Sequence, residues 1–511
     1  LLRYHSINKM KFYLNNENNS EVEKTNVIFL FHSSWDDWFT YSTLYTLYYY
    51  DNEGLSYNFG SIKIGQFNME SGQRTPKLPD SFEVLNDNFF SLGQDVSYYQ
   101  KLNSVSIDFR DEILNALNDI SLKHEVYKKA LSENVTKISL LRDVSTTSVE
   151  GQFSRLATGN VELTPYNFKF HLPKHSKSQV DDMVLDFNVI PKSNPPSNIN
   201  VIIGRNGVGK THLFNSMISS LLGGNRKNGK NGFFTNSLEE SKNPFANLIS
   251  VSFSAFDETN PVVEKKDKTK YLNYSYIGLK RSDKYNDRPK SPTILKNEFV
   301  KSIEKCKLQG KKARWVNAVQ VLEADPVFNE SEVSKILDLE DNLELIKKAS
   351  IIFNKLSSGH KIVLLTVTQI VETIEERSLV LLDEPEGYLH PPLLSAFLRA
   401  LSDILIQRNA VAIIGTHSPV VLQEVPKDCV WKLRRHGANA IAERLEIESF
   451  GENVGLLTQE IFGLEVTDSG FHNILKKLVH DTNNFEEAIG ELNNNIGQEG
   501  KAILRTLMYN K

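Results

Sequence analysis

Cysteine is scarce in this sequence: two residues in 511, Cys306 and Cys429, far apart and with no CxxC or histidine at ligand spacing beside them. A disulfide framework and a cysteine-built zinc site are thereby excluded, and a reducing compartment fits. Long apolar runs are missing as well. No stretch approaches the length of a membrane span, and Leu1 to Asn15 has no basic segment leading into an apolar one. The expectation is a soluble cytoplasmic protein without a membrane partner. Sustained heptads are absent, which excludes a long coiled-coil arm. Net charge is also small, −4, and by itself says nothing about nucleic acid. What remains, 40% hydrophobic and 24% charged, is ordinary for a globular chain long enough for two or three domains.

The charge is unevenly spread. Lys265 to Arg314 holds 16 basic and 5 acidic residues, with Tyr271, Tyr274, Tyr276 and Tyr285 interleaved. Such a mixture suits a phosphate backbone with occasional base stacking, and it equally suits a solvated lysine-rich loop. Before residue 165, Val27 to Phe31 and Ser61 to Ile64 read as strands. Trp35 to Tyr50 is dense in aromatics, for which a packed core is favoured over a surface for bases or a partner. Gln94 to Leu131 reads as helical, with Ile107, Ile113, Leu114, Leu117 and Ile120 as its apolar positions. Nothing in this first part forms a catalytic constellation.

Chemistry begins at Gly204-Arg205-Asn206-Gly207-Val208-Gly209-Lys210-Thr211. The apolar run Ile199 to Ile203 precedes it and a helical pattern at Leu213, Met217, Ile218 and Leu221 follows, the strand-loop-helix setting a P-loop requires. Glycines let backbone N–H groups converge on phosphate oxygens at a helix N-terminus, Lys210 reaches the β and γ phosphates, and Thr211 coordinates Mg²⁺. Gly204, Asn206, Gly207, Gly209, Lys210, Thr211 and His212 are the candidate contacts to ATP.

Three further elements bear on phosphate chemistry. Leu379 to Leu382 is an apolar run delivering Asp383-Glu384-Pro385, so Asp383 is placed at Mg²⁺ and Glu384 as general base or water-positioning group. Leu356-Ser357-Ser358-Gly359-His360-Lys361 heads a helix, offering N–H groups and a hydroxyl to an anion; taken alone, simple N-capping explains it equally. Ala410 to Ile414 is a buried-strand pattern ending in Gly415-Thr416-His417, and a histidine there faces the ligand crevice of an α/β sheet.

In this order the four elements resemble the ATP-binding cassette superfamily over residues 165 to 435. The resemblance implies an α/β fold, a P-loop NTPase of the ABC ATPase type with an α+β N-terminal domain (1–164), a helical and basic insertion (258–350) and short C-terminal helices (436–511). It implies that Ser357 and Gly359 cap the γ-phosphate held by Lys210 of a second subunit in a head-to-tail dimer, and that His417 is the switch histidine. The run Leu382-Asp383-Glu384-Pro385-Glu386-Gly387-Tyr388-Leu389-His390-Pro391, with Ser252-Phe253-Ser254-Ala255-Phe256-Asp257, resembles a narrower group, the soluble bacterial ATPases of the overcoming-lysogenization-defect type and the Septu ATPase PtuA. Where cassette ATPases usually carry a glutamine after the strand following the P-loop, this chain has Ser254 to Asp257, and charge favours Asp257 as a further metal residue. The signature ends in His360-Lys361 instead of the usual Gly-Gln.

No Asp-x-Asp follows Pro419, so a two-metal nuclease domain is not expected within this chain. The resemblance therefore implies a separate nuclease effector of HNH or Toprim type, gated by ATP in anti-phage defence, with DNA or another nucleic acid as a further partner. A repair or chromosome-maintenance clamp shares the same site chemistry. The nucleotide-binding subunit of a transporter fits less well, given the long N-terminal region and the missing glutamine.

Overall fold

Period-two alternation of side chains builds the first sheet. The computed structural model describes residues 10–33, 40–70, 72–159, 163, 165–174, 181–223, 231–236, 244–253, 261–262, 272–281, 289–307, 311–437, 439–463 and 470–509. Strands β1 (Lys11–Leu14), β2 (Val27–His32), β3 (Leu44–Tyr50), β4 (Ser56–Gln66), β5 (Ser81–Phe82) and β6 (Phe89–Gly93) lie in the order β5-β1-β2-β3-β4-β6. Tyr45, Leu47 and Tyr49 turn to one face and are buried, as alternation requires. That core is shared with helices Val96–Val105, Ile107–Ala116 and His124–Ala130. Tyr48 and Tyr50 turn the other way, half-buried, where their rings meet Phe31 and Phe29 edge-on at 5.0 and 5.7 Å. The aromatic stretch is thus divided between a core and an outer face; Trp35, Trp38 and Phe39 lie outside the described residues. Ile107, expected among the apolar helical positions, is 68% exposed, because Ser106 caps the helix and makes it the first residue of the first turn.

The remainder adds β7 (Tyr166–Leu172), β8 (Met183–Val189), β9 (Ile199–Ile203), β10 (Phe233–Asn236), β11 (Asn247–Ser252), β12 (Asn273–Gly278), β13 (Leu379–Asp383), β14 (Val411–Thr416), β15 (Val430–His436) and β16 (Asn439–Arg444). A small antiparallel sheet runs β10-β7-β8, and a seven-stranded sheet runs β12-β11-β13-β14-β9-β15-β16, parallel except for the β15–β16 hairpin. Its central strands are nearly continuous apolar runs because helices or the small sheet cover both faces. Val201, Val380, Leu382, Ala412 and Ile414 pack on one side with Trp315, Val367 and Leu401 of the helices there. Ile202, Leu381, Val411 and Ile413 pack on the other, against Leu213, Phe214 and Met217 of helix Lys210–Leu222 and Phe168 and Phe187 of the small sheet.

Two expected boundaries shift. The helical and basic insertion drawn from 258 contains β12, which pairs in parallel with β11, and its helices start at Pro292, close to the Ile294 from which the sequence reads as helical. The large sheet continues past 435 into β16, and Leu457 and Ile461 of helix Val454–Phe462 are buried in its core. Only helices Phe471–Asp481, Phe485–Glu491 and Gln498–Tyr509 have a small core of their own, around Leu475, Ala488, Ile489 and Leu504. Among the described residues, no helix is long and apolar enough to cross a membrane.

Charged contacts fasten the first part of the chain to the second. Asp95 accepts from the Ser97 amide (2.8 Å) at the start of helix Val96–Val105 and pairs with Arg314 (3.3 Å) and Arg408 (3.1 Å). Nearby, Arg155 binds Glu376 at 2.9 Å, and Glu375 accepts from the Ser145 amide at 3.0 Å. Burial opposes the Asp95 charge, but the Arg314 and Arg408 guanidiniums outweigh it and hold the carboxyl well below the usual carboxylate range. Because the folded value lies below the unfolded one of about 3.9, this contribution is complete above that pH and lost as pH falls toward the folded value. Asp95→Ala leaves two buried guanidiniums facing each other, and thermal or urea unfolding of the variant should show a loss of about 3–5 kcal/mol. A transition equal to that of the unaltered chain would show that the pairing contributes nothing.

Candidate nucleotide site

The order of the large sheet places three strand ends side by side. β14 lies between β9 and β13, with Thr416 in register with Ile203 and Gly415 with Asp383. The loop after β9, the acidic residues after β13 and the histidine after β14 therefore meet at the C-terminal edge, the position where open α/β sheets bind ligands.

The loop from Gly204 to Gly209 has the backbone its sequence demands. Gly207 and Gly209 adopt φ of 80° and 108°, a region that suits glycine. A Cβ on Gly204 would come within 2.6 Å of the Leu433 carbonyl on β15, so the loop depends on that close approach. Asn206 and His212 are exposed on either side of the loop's apex and the first helical turn. Lys210 is 4% exposed and its Nζ donates to the Gly204 and Arg205 carbonyls at 2.9 and 3.1 Å, closing the loop on itself. Thr211 Oγ1 donates to Asp383 Oδ2 at 2.7 Å.

Glu384 connects these groups. Its amide donates to the Gly415 carbonyl at 2.8 Å, and its backbone is left-handed, φ 48° and ψ 57°. For a glutamate that conformation costs on the order of 1–3 kcal/mol, a kind of strain that collects at functional sites. It brings Oε1 to 3.7 Å from Lys210 Nζ and 3.5 Å from His417 Nδ1. Glu386, whose role no sequence motif signals, holds His417: its Oε1 accepts from the His417 amide (3.0 Å) and the Thr416 hydroxyl and lies 3.3 Å from His417 Nδ1. A hint lies in the spacing, two carboxylates on either side of Pro385. Their different tasks depend on the turn Pro385–Tyr388.

Ser252, in register with Asp383, has a buried hydroxyl without a hydrogen-bond partner, and Glu386 Oε2 is buried and unpartnered in the same way. Among the described residues no three His, Cys, Asp or Glu side chains form a metal-holding group. One carboxylate with hydroxyl oxygens is what Mg²⁺ uses when phosphates and water complete its shell, so Asp383, Thr211 and Ser252 fit that ion as hard oxygen donors. Asp257 lies outside the described residues.

Ser357 and Gly359 lie on another element. Ser357 caps helix Ser358–Thr373 and is exposed, while Gly359 is buried, where a Cβ would meet the Tyr388 carbonyl at 2.6 Å. The start of this helix is therefore pressed onto the turn that follows Glu384. Within the described part of the basic segment, Lys290 pairs with Glu298 at 2.8 Å, Lys305 with Glu372 at 2.5 Å and Lys312 with Asp338 at 3.1 Å. Tyr271 and Tyr285 lie outside the described residues.

Comparison with known proteins adds the following. Residues 320–423 match the family described as "AAA domain, putative AbiEii toxin, Type IV TA system". The chain is 40% identical over 512 residues to Protein ea59 of Escherichia phage lambda, covering 96% of this chain and 96% of that protein. Among solved structures it is similar to the ADP conformation of an ATP-binding cassette of an ABC transporter (13% identity, TM-score 0.30, 60% of this chain and 98% of that one). It is also similar to UvrA2 from Deinococcus radiodurans (14% identity, TM-score 0.24, 54% of this chain and 37% of that one). Likenesses this low carry no functional weight. The parallel sheet, glycine loop and strand-end carboxylates make the fold an α/β P-loop NTPase.

Replacing Lys210 by alanine removes the loop's buried cation. The expected outcome is loss of ATP binding by at least about tenfold, read by calorimetry or nucleotide-dependent thermal shift. Affinity equal to that of the unaltered chain would place the nucleotide elsewhere.

Proposed function

This chain belongs to the family of Protein ea59 of phage lambda, and we propose that it is the ATPase subunit of an anti-phage defence complex, hydrolysing ATP to control a nuclease on a separate polypeptide. The observation carrying the hydrolytic part is the left-handed Glu384, which aims one carboxylate between Lys210 and His417. In this mechanism the loop amides and Lys210 bind the β and γ phosphates, and the carboxylate of Glu384 orients and deprotonates the attacking water. His417, its backbone held by Glu386, donates to the γ-phosphate. Thr211 and Asp383 would hold Mg²⁺, which would supply neutralisation of phosphate charge. Positioning and electrostatics of this kind supply nearly all of the catalysis in phosphoryl transfer.

Ser357 is exposed on a helix that begins against the turn after Glu384. That placement supports its use in trans, completing the site of a second subunit in a head-to-tail dimer. A relative encoded by a phage supports a role in the conflict between phages and their hosts. The resemblance of the run Leu382 to Pro391 to the lysogenization-defect and PtuA ATPases supports the effector arrangement, with nucleic acid as the species sensed.

Two measurements test this reading. Glu384→Gln should bind ATP as the unaltered chain does, hydrolyse it about 10²–10⁴-fold more slowly and accumulate as a closed dimer; unchanged turnover would remove Glu384 from this role. Mass spectrometry of the natively expressed protein should find a nuclease at fixed stoichiometry. A chain that purifies alone, monomeric until ATP and DNA are added, would overturn the effector reading in favour of a repair-type clamp.

A further inference from the structure

β15 is longer than the strand it pairs with. Its register with β9 ends at Lys432, opposite Ile203, yet the strand continues to His436. The last part of β15 therefore runs past the end of β9 and along one flank of the P-loop. Leu433 makes the first approach, since its carbonyl stands where a Cβ on Gly204 would have to fit. Alternation then sorts the neighbouring side chains. Lys432 and Arg434 turn to one face, where both reach Glu443 Oε1, at 3.7 and 2.9 Å. Leu433 and Arg435 turn to the other, the face on which Leu433 packs with Val208 of the loop and Leu213 and Phe214 of its helix.

Arg435 is thus carried to the start of helix Lys210–Leu222. Its Nη1 lies 3.9 Å from the position of a Cβ on Gly209, the residue at the head of that helix. The side chain is exposed, and its Nε donates to the Gly437 carbonyl at 3.0 Å, which steadies the guanidinium within the hairpin. Its cross-strand neighbour is Ala440. Among the described residues no carboxylate pairs with Arg435, whereas Arg434 has Glu443 and Arg444 has Asp186.

A cation in this place meets the positive end of the helix dipole, with Lys210 in the first turn. Such an arrangement is unfavourable by itself and becomes favourable when an anion lies among the three. The order of the sheet decides which part of the anion. Glu384 and His417 follow β13 and β14, on one side of β9, and β15 lies on the other. A triphosphate whose γ end faces Glu384 and His417 leaves the loop with its nucleoside end toward β15.

Resting on the reading of this loop as the ATP site, we propose that Arg435 binds the α-phosphate of the nucleotide, where the phosphates join the ribose. Lys210 serves the β and γ phosphates from inside the loop, and Arg435 serves the α-phosphate from its outer flank. Arg435 does not reach the phosphorus under attack, so it is a binding residue. ATP and ADP share the α-phosphate, so it holds product as firmly as substrate.

The test uses the full-length chain, with calorimetry of ATP, ADP and inorganic tripolyphosphate and with steady-state turnover. Arg435→Ala should weaken ATP and ADP by the same factor, about tenfold to a hundredfold, the scale of one hydrogen bond between charged groups. Tripolyphosphate, which keeps three phosphates and lacks the nucleoside, should weaken likewise. The KM for ATP should rise while kcat stays within about twofold, because the lost binding is common to substrate and transition state. Arg435→Lys keeps the charge without the planar fork and should recover part of the affinity. Without nucleotide the melting temperature of Arg435→Ala should not fall, since the side chain is exposed and bonded only to its own hairpin; a fall matching the loss of affinity would make the role structural and overturn the proposal. Weakening of ATP but not ADP, with a drop in kcat, would put Arg435 at the γ end and also overturn it. So would weakening of both nucleotides with tripolyphosphate unaffected, which would move the contact to the ribose or base. If Lys210→Ala loses ATP while Arg435→Ala binds as the unaltered chain does, this proposal alone is overturned. If Lys210→Ala binds ATP normally, the reading of the loop fails and this proposal with it.

Discussion

The structure depends on the placement of β14 between the P-loop strand β9 and the acidic strand β13. Parallel pairing brings all three strands out at the same edge, so lysine, carboxylates and histidine are delivered to one point by backbone hydrogen bonds instead of by flexible loops. Both faces of these strands are buried, which is why they are nearly all apolar, with Asn200 of β9 satisfied by the Ser197 carbonyl, and why the charged groups appear abruptly at their ends. The Glu384 amide bond to Gly415 and the Glu386 bond to the His417 amide then tie the acidic turn to its neighbour.

At the opposite side of the same unit, a different kind of contact operates. Asp95 meets Arg314 of the insertion and Arg408 at the end of helix Pro391–Gln407, so one carboxylate of the N-terminal part fixes two elements of the ATPase part. Glu375 and Glu376, at the end of the signature helix, accept from Ser148 and Arg155. The helix that presents Ser357 at its start is therefore gripped at its end by the N-terminal region. A rigid element held at both ends is a physical route by which an event on that region bears on the start of this helix.

Asp325 repeats the pattern on a smaller scale, linking the insertion, the signature histidine and the turn after Glu384. Buried charges of this kind are costly unless fully paired. In each of these places the carboxylate has several donors from separate segments, which makes the geometry specific where apolar packing alone would allow sliding.

Much was legible in the sequence because local chemistry determines it. Gly207 and Gly209 announce positive φ, Lys210 and Thr211 follow at P-loop spacing, and four apolar residues before Asp383 mark a buried strand. The short C-terminal helices expected within 436–511 are found as Val454–Phe462, Phe471–Asp481, Phe485–Glu491 and Gln498–Tyr509. What the sequence could not decide was which strand ends become neighbours, since sheet order is set by long-range pairing. That order brings His417 to Glu384 and gives Glu386 its task, while helix packing joins Asp325 to His360 across 35 residues of chain. The same limit explains the misplaced boundaries: β12 and β16 carry weak signals of their own and become strands because an existing sheet edge satisfies their backbone groups.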